Sequence, residues 1–187
     1  MYGEDIAYEC DLIKPEDAEA LRVFSCGNKN LDYFFHKELI AKGKVNVEDG
    51  LPYKFYNTET GEIYAVVSLA ASGIIHHIDG YTKILPAIKV DVLAVDTKYQ
   101  KLHLNVESEA STDADEHFYF ADKIMCDVVK KCRAVAEKEV TARYILLYAD
   151  EKALRYYQRN YFSDFTEYME REHNMEIEAN TPMYLEL

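Results

Sequence analysis

The 187-residue sequence has no apolar run approaching the length needed to span a membrane. Its first residues, Met1-Tyr2-Gly3-Glu4-Asp5, are acidic where a secretory signal would be basic and then apolar. These absences argue against a membrane span and point to a cytoplasmic protein. Glycine and proline are scarce, with 7 and 4 residues, so the composition is neither fibrous nor of low complexity. The four cysteines, Cys10, Cys26, Cys126 and Cys132, include no pair at the two-residue spacing of a zinc or redox motif. Cys126 and Cys132 fall on one predicted helix, too far apart for a disulfide, and buried thiols are expected. Adjacent His76 and His77 would point to opposite faces of a strand, so no metal site is predicted.

Positive charge is also in short supply. Lys and Arg total 21 against 34 Asp and Glu, a formal net charge of -13, and no large basic patch is evident. Such a field opposes nonspecific binding to nucleic acid or anionic membrane.

What is present is a globular composition, 49% hydrophobic and 29% charged, in a length that suits a single domain over residues 1–187. Ile6 to Ile13 reads as an edge strand, and Lys14-Pro15-Glu16-Asp17 as a helix start. Leu31, Phe34, Phe35 and Leu39 recur at three- and four-residue steps and predict a helix from Lys29 to Ala41, capped by Asn28. Lys42 to Leu51 reads as a loop. Tyr53 to Asn57 and Glu62 to Leu69 are predicted to form a hairpin, while Ala70 to Pro86 is ambiguous apart from the turn signal Asp79-Gly80.

Lys89 to Val95 is a mostly apolar strand expected in the middle of the sheet. A long amphipathic helix is predicted from about Asp113 to Lys138, with Asp113 and Glu116 as its capping box. The strand Ala142 to Ala149 follows, which makes a βαβ unit with parallel strands. Asp150 then opens a short helix from Glu151 to Asn160, a further short helix is expected around Glu167 to Glu172, and Pro182 to Leu187 reads as a last strand.

In open sheets with crossover helices, ligands bind beyond the carboxyl ends of the strands. Here that region holds Gln100-Lys101-Leu102-His103-Leu104-Asn105, whose backbone N–H groups could cradle an anion in a tight turn, although none of these residues is glycine. Glu107, Glu109, Asp113, Asp115 and Glu116 crowd the predicted helix entrance; they suit the helix dipole and also repel a phosphate there. His103 is the histidine nearest this region, and a solvent-facing loop residue is its simplest reading. Of the adjacent Tyr156 and Tyr157, core packing explains one ring; the other can offer a hydroxyl, and Tyr157 is the candidate catalytic residue. Sixteen tyrosines against eight phenylalanines also suit an interface, with a homodimer among the assemblies allowed.

Several of these segments, in order, resemble the Gcn5-related N-acetyltransferase superfamily, and in particular its bacterial toxin branch. They are Phe24-Ser25-Cys26-Gly27 with Leu31-Asp32 and Phe34-Phe35; Leu93-Ala94-Val95-Asp96 with Tyr99-Gln100; and Ala153, Tyr156-Tyr157 and Tyr161-Phe162. The resemblance implies an α/β fold with a mixed central sheet of about six or seven strands flanked by helices. It implies transfer of an acetyl group from acetyl-CoA to an amine of a small molecule, a protein or an aminoacyl-tRNA. The cofactor would be held by Leu93, Ala94 and Val95 and by the pyrophosphate loop Gln100, Lys101, Leu102, His103, Leu104 and Asn105. Tyr157 matches the family's frequent general acid. No base is nominated.

The sequence departs from the family pattern where glycines would stand at His103, Asn105 and Tyr161, and where Val106 to Thr112 intervene before the predicted helix. An alternative alignment starts that helix near Leu104. The departures motivate a second reading, a noncatalytic binding or regulatory domain on the same fold. Its expected partner is a basic protein, with nucleic acid disfavoured outside aminoacyl-tRNA.

Overall fold

The computed structural model describes residues 2–3, 6–48, 50–78, 80–104, 118–168 and 180–187. The elements run β1 (Tyr2–Gly3), β2 (Glu9–Leu12), α1 (Ala18–Val23), α2 (Lys29–Tyr33), β3 (Ile40–Ala41), β4 (Lys44–Val45), β5 (Leu51–Tyr56), β6 (Ile63–Ile78), β7 (Tyr81–Val95) and β8 (His103–Leu104). They continue with α3 (Phe120–Lys138), β9 (Tyr144–Ala149), α4 (Leu154–Arg159), β10 (Ser163–Asp164) and β11 (Thr181–Glu186). Seven strands form one sheet in the order β10-β11-β9-β7-β6-β5-β2. β7 and β9 are parallel, whereas β9–β11, β11–β10 and β5–β2 are antiparallel, so the sheet is mixed, as the resemblance implied. No helix among the described residues is long and apolar enough to cross a membrane.

The chain packs as two compact units, Met1–Ser68 with Val92–Met125, and Leu69–Asp91 with Cys126–Leu187. In the first, Pro15 opens a short 3-10 turn, and Asp17 Oδ2 accepts the Lys14 N–H at 2.8 Å. α1 follows and buries Leu21. Asn28 caps α2 through its side-chain oxygen, 3.0 Å from Asn30 N and 3.4 Å from Leu31 N. The predicted helix stops short of Ala41. Phe34–Glu38 widens into a π-turn, with Leu39 N–H donating to Phe34 O at 2.8 Å. Ile40 and Ala41 then pair with Val45 and Lys44 across Lys42 (φ 52°) and Gly43 (φ 72°). Two successive positive φ values are the geometry of a tight hairpin turn, which ends the helix where periodicity alone would have continued it. Phe24, Phe35, Leu39, Ile63, Val66 and Ala94 share the core of this unit.

The ambiguous stretch 70–86 belongs to a long hairpin, β6 with 16 residues and β7 with 15. Gly73 explains part of its pairing: a Cβ there would lie 2.7 Å from Ile84 Cγ2, so only glycine permits that approach. Pro86 lies inside β7 rather than at its start, and its carbonyl accepts the Arg143 N–H at 2.9 Å. The residues after it, Ala87, Ile88 and Lys89, pair with Tyr144, Ile145 and Leu146. In the second unit Ala87, Leu146 and Phe165 form a buried cluster. None of the four cysteines forms a disulfide among the described residues. Cys132 is buried, with its thiol pushed up to about 12 by desolvation, whereas Cys10 and Cys126 are exposed, contrary to the expectation of buried thiols throughout.

Candidate functional site

The candidate loop begins where β7 ends. Ala94 and Val95 are buried, and Leu93 is partly so. Asp96, also buried, organises the turn that follows. Its N–H donates to Tyr64 O at 2.9 Å, its carbonyl accepts from Tyr99 N (2.8 Å) and Gln100 N (3.2 Å), and its Oδ1 accepts from Lys98 N at 2.9 Å. A short acidic side chain bonded to the backbone two residues on favours such a turn without glycine. Gln100 latches it: Nε2 donates to Val95 O and to Cys26 O, both at 2.8 Å.

Beyond Gln100 the loop is closed by backbone bonds. Leu102 N–H donates to Tyr99 O (3.2 Å), Leu104 N–H to Phe118 O (2.9 Å) and Phe120 N–H to Leu102 O (2.8 Å). His103 and Leu104 form β8, which pairs in parallel with Tyr2 and Gly3, and the His103 and Tyr119 rings lie 4.6 Å apart between centroids. Lys101 is exposed. The backbone N–H groups of Gln100, Leu102 and Leu104 therefore donate to carbonyls of the chain itself. Asn105 lies outside the described residues, as do Glu107, Glu109, Asp113, Asp115, Glu116 and His117.

α3 begins at Phe120, not near Asp113, because residues 118 and 119 are described and are not helical. Its first turn is held by an acid that periodicity did not single out. Asp122 Oδ2 accepts the Tyr119 N–H at 2.9 Å, while Asp122 N–H donates to Tyr119 O at 2.9 Å. This is half of a capping box, with tyrosine where serine or threonine usually stands. Phe120 is fully buried and meets Tyr8 and Tyr64 edge to face, at 5.5 and 5.7 Å between centroids. The Tyr99 ring is tilted against it, and burial together with a hydrogen bond to Glu62 pushes the Tyr99 phenol well above its ordinary range.

Tyr157 lies on α4 in the second unit. It is 8% exposed, packs against Tyr156 and Phe162 at 5.2 and 5.8 Å between centroids, and burial pushes its phenol up to about 12. Four residues later Tyr161 adopts φ 68°, the left-handed conformation that glycine tolerates. Its side chain is 85% exposed and loses little contact on truncation. Tyr161→Gly is therefore expected to stabilise the fold by about 0.5–1 kcal/mol, the relief of strain exceeding the greater freedom of the unfolded glycine. A urea unfolding midpoint at or below that of the wild type would show that the conformation carries no strain.

Ser25 and Asp32 escaped selection as site residues, though both bond into the segment that holds this loop. The signal available was the first motif of the resemblance, Phe24-Ser25-Cys26-Gly27 with Leu31-Asp32, which contains both residues.

No protein-family model matches the chain, and no curated protein matches it in sequence. Solved structures do match. A bacterial toxin shares 15% identity with a TM-score of 0.67, covering 96% of this chain and 90% of its own. AtaTR bound with acetyl-CoA has 12% identity and a TM-score of 0.64, covering 96% and 93%. AtaT complexed with acetyl-methionyl-tRNAfMet has 13% identity and a TM-score of 0.63, covering 96% and 95%. These likenesses show the fold, a mixed α/β sheet flanked by helices of the kind the resemblance implied.

Proposed function

We propose that this chain is an acetyl-CoA-dependent N-acetyltransferase acting on an amine. The observation that carries the reading is the turn at the end of β7, where Lys98 N–H donates to Asp96 Oδ1 at 2.9 Å and Gln100 Nε2 donates to Val95 O at 2.8 Å, fixing the backbone that leads into the loop. It lies beyond the carboxyl end of a sheet strand, where open α/β sheets bind their ligands. The pantetheine arm fits the β7 backbone of Leu93, Ala94 and Val95. The loop from Gln100 to Asn105 lies next along the chain for the phosphates, with Lys101 supplying positive charge.

Bound acetyl-CoA supplies the thioester carbonyl. The residues do the rest. With acetyl-CoA bound, an acceptor amine that has lost its ammonium proton would attack the carbonyl carbon, the C–S bond would break, the nitrogen would release its second proton to solvent, and Tyr157 would donate its hydroxyl proton to the departing thiolate. Solvent returns the proton to the phenolate. Burial pushes the Tyr157 phenol up to about 12, so the hydroxyl carries its proton at neutral pH and well into the alkaline range.

The charge of -13 favours a basic acceptor, such as a polyamine or a lysine-rich protein, over a nucleic acid. AtaT is seen with acetyl-methionyl-tRNAfMet, so charged tRNA belongs in the test. The assay is release of the coenzyme A thiol with spermidine, a lysine-rich peptide or aminoacylated tRNA as acceptor. Release with an amine acceptor and none without it is the expected result.

One set of observations favours the second reading, a binding domain without turnover. The N–H groups of Leu102, Leu104, Tyr119 and Phe120 already donate within the protein, and the buried Asp122 carboxylate places negative charge in the first turn of α3. Acetyl-CoA binding with no thiol release for any acceptor would establish that reading instead.

A further inference from the structure

Asp32 stands at the head of a series of hydrogen bonds that ends in the loop after β7. Its Oδ2 accepts from Ser25 Oγ and its Oδ1 from the Cys26 N–H, both at 2.8 Å. The turn is braced from behind by His36, whose Nε2 donates to Phe24 O at 2.7 Å. Ser25–Gly27, shaped in this way, touches the loop repeatedly. Thr97 N–H donates to Ser25 O at 2.9 Å, Ser25 N–H donates to Asp96 Oδ2 at 3.3 Å, and Gln100 Nε2 donates to Cys26 O at 2.8 Å.

Gly27 completes the join. It has φ +82°, a backbone conformation that favours glycine, and a Cβ there would sit a tight 3.2 Å from Thr97 Cγ2, so the segment lies close against the loop. Burial alone would raise the Asp32 pKa. The hydrogen bonds from Ser25, Cys26 and Gly27 outweigh that effect and hold the carboxyl below its usual range, so the acceptor is anionic at neutral pH. Hydrogen bonds to an ionised acceptor are the stronger kind, which suits a residue that must hold a turn of backbone in one shape.

We infer that Asp32 is a positioning residue for acetyl-CoA: it fixes Ser25–Gly27, and through them the backbone from Asp96 to Gln100 that leads into the phosphate-binding loop. The inference rests on the acetyltransferase reading above. Asp32 acts through Ser25 and Cys26, so its removal should loosen the loop and weaken cofactor binding without slowing the transfer step.

The experiment has two readouts on the intact chain: amide hydrogen exchange at Thr97 and Lys98, and acetyl-CoA affinity by calorimetry alongside kcat at saturating acetyl-CoA. In Asp32→Ala, exchange at both amides is expected to accelerate and affinity to fall about tenfold, with kcat within about twofold of wild type. Asp32→Asn, which keeps an acceptor for the Cys26 N–H, should recover part of the loss. If Asp32→Ala does not fold, Ser25→Ala decides, with an expected affinity loss of about threefold. Phe165→Leu, a core change in the other unit, should lower stability and leave affinity unchanged. Wild-type exchange and wild-type affinity in a folded Asp32 or Ser25 variant would overturn the inference. Failure of the wild type itself to bind acetyl-CoA would overturn the acetyltransferase reading, and the first titration would show it before any variant is made.

Discussion

Lys54→Ala is expected to cost about 3–5 kcal/mol of folding stability, a large share of the roughly 5–15 kcal/mol available to a domain. Lys54 on β5 and Asp17 before α1 are 8% and 9% exposed, and their side chains form an ion pair inside the first unit. Removing one partner leaves the other charge buried without compensation, which is the costly case. Two further contacts tie the pair to its surroundings. Asp17 Oδ2 also accepts the Lys14 N–H at 2.8 Å, and Lys54 Nζ lies 4.4 Å from the centre of the Tyr56 ring. The double variant Lys54→Met with Asp17→Asn should recover most of the loss, because it removes both charges and keeps an acceptor for Lys14 N–H. Urea unfolding of the three proteins measures this. A loss below about 1 kcal/mol for Lys54→Ala would mean that the pair is solvated and behaves like an exposed one.

Tyr157→Phe should lower kcat by about 10²- to 10⁴-fold, the usual contribution of a positioned general acid, while leaving folding and acetyl-CoA affinity intact. The phenyl ring can keep the packing against Tyr156 and Phe162, at 5.2 and 5.8 Å between centroids, so the substitution removes a hydroxyl and little else. Burial pushes the phenol up to about 12, which keeps it a proton donor at neutral and moderately alkaline pH. Any alkaline fall in activity caused by Tyr157 losing its proton should lie near that value, far above the limb produced by an ordinary amine acceptor. Steady-state rates of thiol release in the two proteins make the comparison. Equal kcat values would remove Tyr157 from the reaction.

The strand ending at Val95, the parallel strand after it and the Asp150 start of the following helix were legible because each is set by local patterning. A dense apolar run makes a central strand, and Asp150 Oδ1 accepts the Lys152 N–H at 2.9 Å, as a capping aspartate should. The start of α3 was not legible. Asp113 and Glu116 carry the spacing of a capping box, yet the cap used is Asp122 against Tyr119, where an aromatic residue occupies the first position and gives no sequence signal.

The long β6–β7 hairpin was hidden by Gly73 and Pro86, both of which lower strand propensity. Only the pairing with Ile84 and the β9 ladder reveals why they are tolerated. For the site, the order of motifs pointed to the loop but could not assign roles within it. Gln100 was legible as a loop residue, whereas of its two hydrogen bonds, to Val95 O and Cys26 O, the second depends on a segment more than seventy residues earlier in the chain. Asp32 and Ser25 escaped for the same reason: their importance comes from tertiary neighbours.

The central claim is that the end of β7 and the loop after it bind acetyl-CoA, and isothermal titration calorimetry of the wild-type chain with acetyl-CoA tests it most directly. The account predicts saturable heat with one site per chain and a Kd in the micromolar range, about -8 kcal/mol, together with a raised melting temperature. No heat and no thermal stabilisation at millimolar acetyl-CoA would contradict it.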